Sequence, residues 1–274
     1  MLDQILVVVK GAGDLASGVI HRLHRAGMRV VATELPQPLA IRRTVAFASA
    51  VYEGVWQVEG VVARHVADQA AMERALAAGE VPVWVDPGAR IVPWLHPTAV
   101  VDGIMAKRNT GTCITDASVV VALGPGFTAG HDCHAVVDTQ RGHDLGRVIW
   151  QGQAQPDTGT PGTVGGESAR RVLRAPNDGL FVGRRRIGDL VEAGETVAEV
   201  EGQPVVARID GVLRGLLHDG LNVRADHKVG DVDPRGVVEH CFTISDKARA
   251  IGGSVLEAIL YQLSVLSSRG RPPV

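Results

Sequence analysis

Residues 5 to 16 read Ile-Leu-Val-Val-Val-Lys-Gly-Ala-Gly-Asp-Leu-Ala, an apolar strand running into a glycine turn and then a helix. That order of elements cradles a pyrophosphate. Gly11 permits the tight turn, Gly13 lets the backbone approach a phosphate, and Ala16 is small enough for helix and strand to pack closely. Glu34 ends the next apolar run, 21 residues after Gly13, near the offset at which a carboxylate meets a ribose hydroxyl. Asp14 suits a helix N-terminus but would repel a pyrophosphate, a repulsion that Lys10 offsets if it points into the same crevice. Arg42 and Arg43, just past the second strand, are candidates for an additional phosphate or for a surface role. The chemistry expected here is nucleotide binding through Lys10, Gly11, Gly13, Asp14, Glu34, Arg42 and Arg43.

A second concentration of chemical side chains lies at His131, Asp132, Cys133, His134, Asp138, Arg141, His143 and Asp144. Sulfur with imidazole suits zinc, copper or sulfur chemistry. The spacing has no C-x-x-C or H-E-x-x-H frame, and in a strand His131 and Cys133 would face away from His134, so no metal site is expected. Cys133 remains either a thiolate activated by His131, His134 or Arg141, or a small buried hydrophobe. Cys133, His134 and Arg141 are the candidate catalytic residues. Cys113 and Cys241 have no adjacent base and read as structural. There is no G-x-S-x-G elbow, and Ser17 falls inside the first helix, which argues against acyl transfer.

The elements that must position these residues alternate through the first hundred residues. Ala67 to Ala78 reads as a helix, Val81 to Val85 and Val100 to Met105 as strands, and Asp86 and Asp102 fall near strand carboxyl ends. This pattern predicts a doubly wound parallel sheet with its ligands at those ends. Val119 to Leu123 is a further strand, followed by a glycine-rich loop in which Pro125 prevents a copy of the first. Residues 151–168 read as an extended loop. From Ala175 to Pro234 short strands alternate with turns, and Gly188 to Gly194 recurs weakly as Gly220 to Asp226, 32 residues later, as in a compact barrel-like sandwich. Ser245 caps a predicted helix to Leu266 with an apolar stripe at Ile251, Val255, Ile259, Leu263 and Leu266, and the tail beyond should fray. The expected division is 1–170 for the nucleotide-binding part, 171–240 for the β part and 241–274 for the helix and tail.

The formal charge of −2 leaves no stripe for nucleic acid; the one basic run, Arg184 to Arg186, reads as a solvated strand or loop. Three dispersed cysteines build no disulfide framework, and the five-residue first apolar run is no signal peptide. No stretch approaches the roughly 20 apolar residues of a membrane helix. A cytoplasmic protein without nucleic-acid or membrane partners is expected.

The blocks KGAGDLASGVIHRLHRAG, TELPQPLAIRRTVAFASAVYEG, VVDTQRGHDLGRVIWQGQA and KVGDVDPRG resemble the YqeB-like family of accessory proteins linked to selenium-dependent molybdenum hydroxylases. Its nucleotide-binding half is similar to maturation factors of xanthine dehydrogenase. The repeat region resembles a biotinyl/lipoyl-like barrel-sandwich, yet no lysine lies between Lys107 and Lys228, so a swinging arm is excluded in this register. The resemblance implies a Rossmann-like doubly wound sheet followed by that barrel-sandwich and a C-terminal helix. It further implies maturation of a molybdenum hydroxylase apoenzyme, with a nucleotide or nucleotide-containing molybdenum cofactor as ligand. Two other functions fit the residues: an NAD(P)-dependent oxidoreductase, for which no catalytic pair is evident, and a non-catalytic scaffold that docks the hydroxylase.

Overall fold

The computed structural model describes residues 2–157, 159 and 162–269. The tail expected to fray lies outside them from residue 270. Three consecutive valines with no polar interruption give β1 (Leu6–Lys10), in which Val7, Val8 and Val9 are wholly buried, as in a strand covered on both faces. Helix α1 (Asp14–Arg25) follows, then β2 (Arg29–Glu34), parallel to β1. A four-residue helix α2 (Ala50–Glu53) leads to the antiparallel hairpin of β3 (Val55–Val58) and β4 (Val61–Val66). Helix α3 (Gln69–Ala77) is capped by Asp68, whose carboxylate accepts the Ala71 N–H. It is followed by β5 (Val81–Val85), the short α4 (Ile91–Leu95), β6 (Ala99–Asp102) and β7 (Val119–Leu123). Next come β8 (Thr128–Ala129), β9 (Ala135–Val137), β10 (Val148–Ile149) and β11 (Gly152–Gln153).

All of these except β8 and β11 form one nine-stranded sheet in the order β10-β9-β7-β6-β1-β2-β5-β4-β3. The strands from β9 to β4 run parallel, and β10 and β3 close the two edges antiparallel. From β1 the chain passes to β2, skips to the far edge at β3, returns inward through β4 and β5, and then crosses to β6 on the other side of β1. This puts a break between β1 and β6, where loops from both strands diverge above their carboxyl ends.

The remaining strands are β12 (Val172–Arg174), β13 (Gly179–Gly183), β14 (Leu190–Val191), β15 (Thr196–Val200), β16 (Gln203–Val206), β17 (Gly211–Leu216), β18 (Asn222–Val223) and β19 (Lys228–Asp233). They form two four-stranded sheets, β12-β19-β17-β14 and β16-β15-β13-β18, around a core that includes Phe181, Leu213, Leu216 and Leu217. The recurring segment places β14 in one sheet and β18 in the other. Residues Ile41 to Thr44 bolt this unit to the first: the Leu216 N–H donates to the Ile41 carbonyl, Arg43 Nε to the Leu216 carbonyl, and Thr44 Oγ1 to the Cys241 carbonyl.

Helix α5 (Asp246–Arg269), with Ser245 Oγ accepting the Ala248 N–H, returns across the nine-stranded sheet and packs on α1. Its Ala248, Ile251, Val255, Ala258 and Ile259 join the core with Val7, Val101 and Val121. The approach is close because both helices are bare where they cross: a Cβ on Gly18 would lie 2.6 Å from the Ala248 carbonyl oxygen, and one on Gly252 2.6 Å from that of Gly18. Among the described residues, α5 alone is long and apolar enough to cross a membrane by length and composition. Ile251, Val255 and Ile259 of its apolar stripe close the core, Leu263 packs partly against it, and Leu266 is exposed.

The architecture corrects the expected fold. The chain is a mixed α/β structure with several sheets, not a Rossmann-like doubly wound unit followed by a biotinyl/lipoyl-like barrel-sandwich. The connections from β6 to β7 and from β7 to β9 contain no helix, so the pattern of alternating elements stops at β6. The cover for that half comes from α5, more than a hundred residues later in the chain. In the β part, no strand of one four-stranded sheet pairs with a strand of the other among the described residues, so the ladder does not close. Turn spacing shows where strands begin but not which partner each will choose.

Candidate functional site

Two cavities meet at the start of α1. The first, about 670 Å³, lies above the carboxyl ends of β1, β2, β5 and β6 and is lined by Gly11, Gly13, Glu34, Asp86, Gly103 and Ile104 among others. Its position follows from the sheet order, since loops after β1 and β6 separate there and leave a crevice. Gly11 has φ of +88°, a conformation that favours glycine, and a Cβ on it would make a tight 3.3 Å contact with Gly103 backbone. Gly13 has ordinary extended dihedrals (φ −71°, ψ −173°), and a Cβ on it would touch nothing within 4 Å. Its bareness therefore serves the open crevice and not the packing of the fold.

Glu34 stands where the ribose partner was expected, but its carboxylate also closes the glycine turn. Oε2 accepts the Ala12 N–H at 2.8 Å, and Oε1 accepts the Leu35 N–H at 2.7 Å. Burial raises its pKa, while the two amide donors pull the other way. Asp86 lines the same crevice and accepts the Ile91 N–H. Asp102 does not: it is buried and accepts a hydrogen bond from Thr112 Oγ1 at 2.6 Å.

Lys10 is turned out of the crevice. Its Nζ donates to Thr112 Oγ1 at 2.8 Å and pairs with Asp116 at 3.3 Å, both on the long connection after β6. It holds that connection down and offsets nothing at Asp14. Arg42 has taken that part instead, with Nη1 3.0 Å from both carboxylate oxygens of Asp14 and Nη2 donating to the His240 and Thr243 carbonyls. Arg43 bolts the two parts of the chain and lines neither cavity. Neither arginine is a free phosphate ligand.

The second cavity, about 770 Å³, opens between the nine-stranded sheet and the β unit. It shares Asp14, Leu15, Met105 and Lys107 with the first, so the two form one bent cleft. Its lining among the described residues has seven cationic side chains and three carboxylates. Arg141 is here and not beside Cys133: its guanidinium donates to both oxygens of Asp246 at 2.8 and 2.9 Å. Arg171 pairs with Asp231 at 2.7 Å and Arg214 with Asp233 at 3.1 Å, all four side chains buried.

The expected trio of Cys133, His134 and Arg141 therefore does not converge. Cys133 is fully buried among Val8, Val120 and Phe127, on the opposite face of the sheet from α1 and α5. Burial, reinforced by the charges of Asp132 and Asp102, pushes its thiol up to about 12, which removes it as a nucleophile. His134 Nδ1 accepts the Val120 N–H at 2.9 Å, and burial lowers its pKa, so the ring is a neutral prop for β7. The strand begins only at Ala135, and His131 is exposed in the preceding turn, beside Asp132. Cys113, expected to be structural, is exposed, while Cys241 is buried. Iodoacetamide at pH 8 should accordingly label Cys113 in the folded protein and spare Cys133 and Cys241 until denaturant is added; peptide mass spectrometry reads the result.

Sequence reasoning passed over Arg171, Arg214, Lys228, Asp231, Asp233 and Lys247. One signal was available: β19 reads Lys-Val-Gly-Asp-Val-Asp, a buried strand with charged residues inside it. Charges in a buried strand need partners or a ligand. The run Arg184 to Arg186 is a surface feature, with Arg184 paired to Glu199 and Arg185 to Glu195. Among the described residues no three His, Cys, Asp or Glu side chains are grouped to hold a metal ion.

No protein-family model matches the chain. Uncharacterized protein YqeB of Escherichia coli (strain K12) is 50% identical over 255 residues, which is 93% of this chain. The likeness supports a YqeB-like family. The chain spans about half of that relative, 47% of its length. Solved structures with a partly similar outline are a succinylglutamate desuccinylase/aspartoacylase from Rhodobacter sphaeroides, at 15% identity, and an aspartoacylase family protein from Mesorhizobium loti, at 14%. Each covers 83% of this chain and 84% of its own, with TM-scores of 0.26 and 0.27. At that level of overlap no activity carries over from them to this chain.

Proposed function

We propose that this protein holds a nucleotide or a nucleotide-containing molybdenum cofactor, and serves in the cytoplasm as an accessory factor in maturation of a selenium-dependent molybdenum hydroxylase. The observation that carries the ligand class is the bent cleft, apolar beside the glycine turn and cationic at its other end. A nucleotide has the same polarity, a flat heterocycle at one end and phosphate at the other. Among the described residues the candidate nucleophile and base, Cys133 and His134, line neither half of the cleft, which favours holding over catalysis. The pathway comes from the YqeB-like sequence blocks, and the hydroxylase apoenzyme is the partner this reading requires.

Gly13 gives the direct test, because the fold does not need it bare. Gly13→Glu should keep the thermal midpoint of the parent protein while weakening nucleotide binding by about tenfold or more, since it adds bulk and a like charge to the crevice. Calorimetry on both proteins measures this. Unchanged affinity in a folded Gly13→Glu variant would remove the crevice as the binding place.

A further inference from the structure

We propose that the cavity between the sheet and the β unit is an oxyanion seat, in which Lys228 and Lys247 take the phosphate end of the ligand. The identity of the ligand rests on the reading above; the anion seat itself does not. Each arginine of the cavity already has a carboxylate: Arg42 has Asp14, Arg141 has Asp246, Arg171 has Asp231 and Arg214 has Asp233. Lys107 is paired with Asp157. Lys228 and Lys247 also line the cavity, and neither ammonium group has a hydrogen bond or ion pair among the described residues. Both are withdrawn from water far enough that burial lowers their pKa values.

Carboxylates bear on both ammonium groups from a distance, Asp231 on Lys228 and Asp14, Asp138 and Asp246 on Lys247, but none forms an ion pair with them, and a bound anion would supply that missing contact. The two lysines arrive from separate parts of the fold, Lys228 at the start of β19 and Lys247 in the first turn of α5. Ser245 lines the cavity as well, so the N-terminal end of a 24-residue helix adds its positive pole to the same space. The glycine turn, by contrast, is a poor phosphate cradle in this chain. The Ala12 N–H is taken by Glu34, Asp14 stands at the mouth, and Lys10 is held by Thr112 and Asp116. The base and ribose then lie over Gly11 and Gly13, and the phosphates pass Leu15 and Met105 into the basic cavity.

The test is calorimetry of the full chain with inorganic pyrophosphate, inorganic phosphate and a nucleoside lacking phosphate, on wild type, Lys228→Met and Lys247→Met. Pyrophosphate should bind wild type saturably and raise its melting temperature, and each substitution should weaken that binding about tenfold or more. Without ligand, Lys247→Met should melt no lower than wild type, because a half-buried ammonium group with no ion pair has been removed; a merely structural lysine would show the opposite. Pyrophosphate that fails to bind wild type at millimolar concentration, or that binds both variants as tightly, overturns the seat. The wild-type titration decides this even where a variant does not fold. Nucleoside binding without pyrophosphate binding refutes the seat and leaves the crevice; pyrophosphate binding without nucleoside or nucleotide binding does the reverse.

Discussion

Asp233→Ala is expected to lower the unfolding free energy by about 3–5 kcal/mol, the usual result of stranding one partner of a buried ion pair. Asp233 is fully buried on β19 and accepts from Arg214 Nη1 at 3.1 Å, Arg235 Nη2 at 2.6 Å, Arg235 Nε at 2.9 Å and the Arg235 N–H at 3.1 Å. Arg235 reaches solvent and can find water, but Arg214 is 7% exposed and would be left without its counter-charge. Asp233→Asn keeps part of the hydrogen bonding and loses the charge, so it should fall between the two. The same carboxylate sets an acid limit. Although burial opposes it, the donors from Arg235 and the charges of Arg214 and Arg235 hold its pKa at about 2, below the ordinary 3.8. A depressed folded-state pKa means stability that is complete above about pH 4 and lost as pH falls through about 2. Denaturant melts of wild type between pH 5 and pH 2 should show that decline, and Asp233→Ala should flatten it.

Gly252→Val should be the most damaging change to α5, costing about 3 kcal/mol by overpacking. The new Cβ would stand 2.6 Å from the Gly18 carbonyl oxygen and 3.1 Å from both the carbonyl carbon of Gly18 and the Cβ of Arg22. Backbone atoms of α1 cannot rotate away, so the helices must separate. That movement strips cover from Val101 and Val121 and drags Ser245 and Lys247 from the basic cavity. Gly253→Ala is the control on the neighbouring position. A Cβ there meets nothing within 4 Å, and the alanine gains up to about 1 kcal/mol of helix propensity. Thermal melts followed by circular dichroism should move the two variants in opposite directions; parallel shifts would mean that α5 is not seated on α1 as described.

The glycine turn is legible in the sequence because its parts are local. A valine strand, two glycines, a helix and an acid after the next strand lie within thirty residues, and each supports the next. Glu34 shows the limit of that logic: its position is correct, but its bonds to Ala12 and Leu35 can be known only from the folded turn. Arg42 takes the part expected of Lys10 for the same reason. The partners of Lys10 lie more than a hundred residues away, and those of Arg42 are Asp14 and two carbonyls near α5. Closeness in sequence misleads at Cys133, His134 and Arg141, which a short strand and a turn send to different sides of the sheet. Lys228 and Lys247 lie on distant elements, and although the charges inside β19 are a signal in themselves, only the packing of α5 over the sheet brings the two lysines to one cavity. That packing also accounts for the misread fold, since an apolar stripe at 251, 255 and 259 announces a buried face without saying what buries it.

One molecule of a phosphorylated, nucleotide-class ligand is proposed to occupy the bent cleft. Isothermal titration of the wild-type chain with a panel of nucleoside diphosphates, and with the nucleotide form of the molybdenum cofactor, tests it most directly. A single saturable site is expected for at least one of these, with affinity that falls in Gly13→Glu and in Lys228→Met. Folded protein that takes up none of them at millimolar concentration would contradict it.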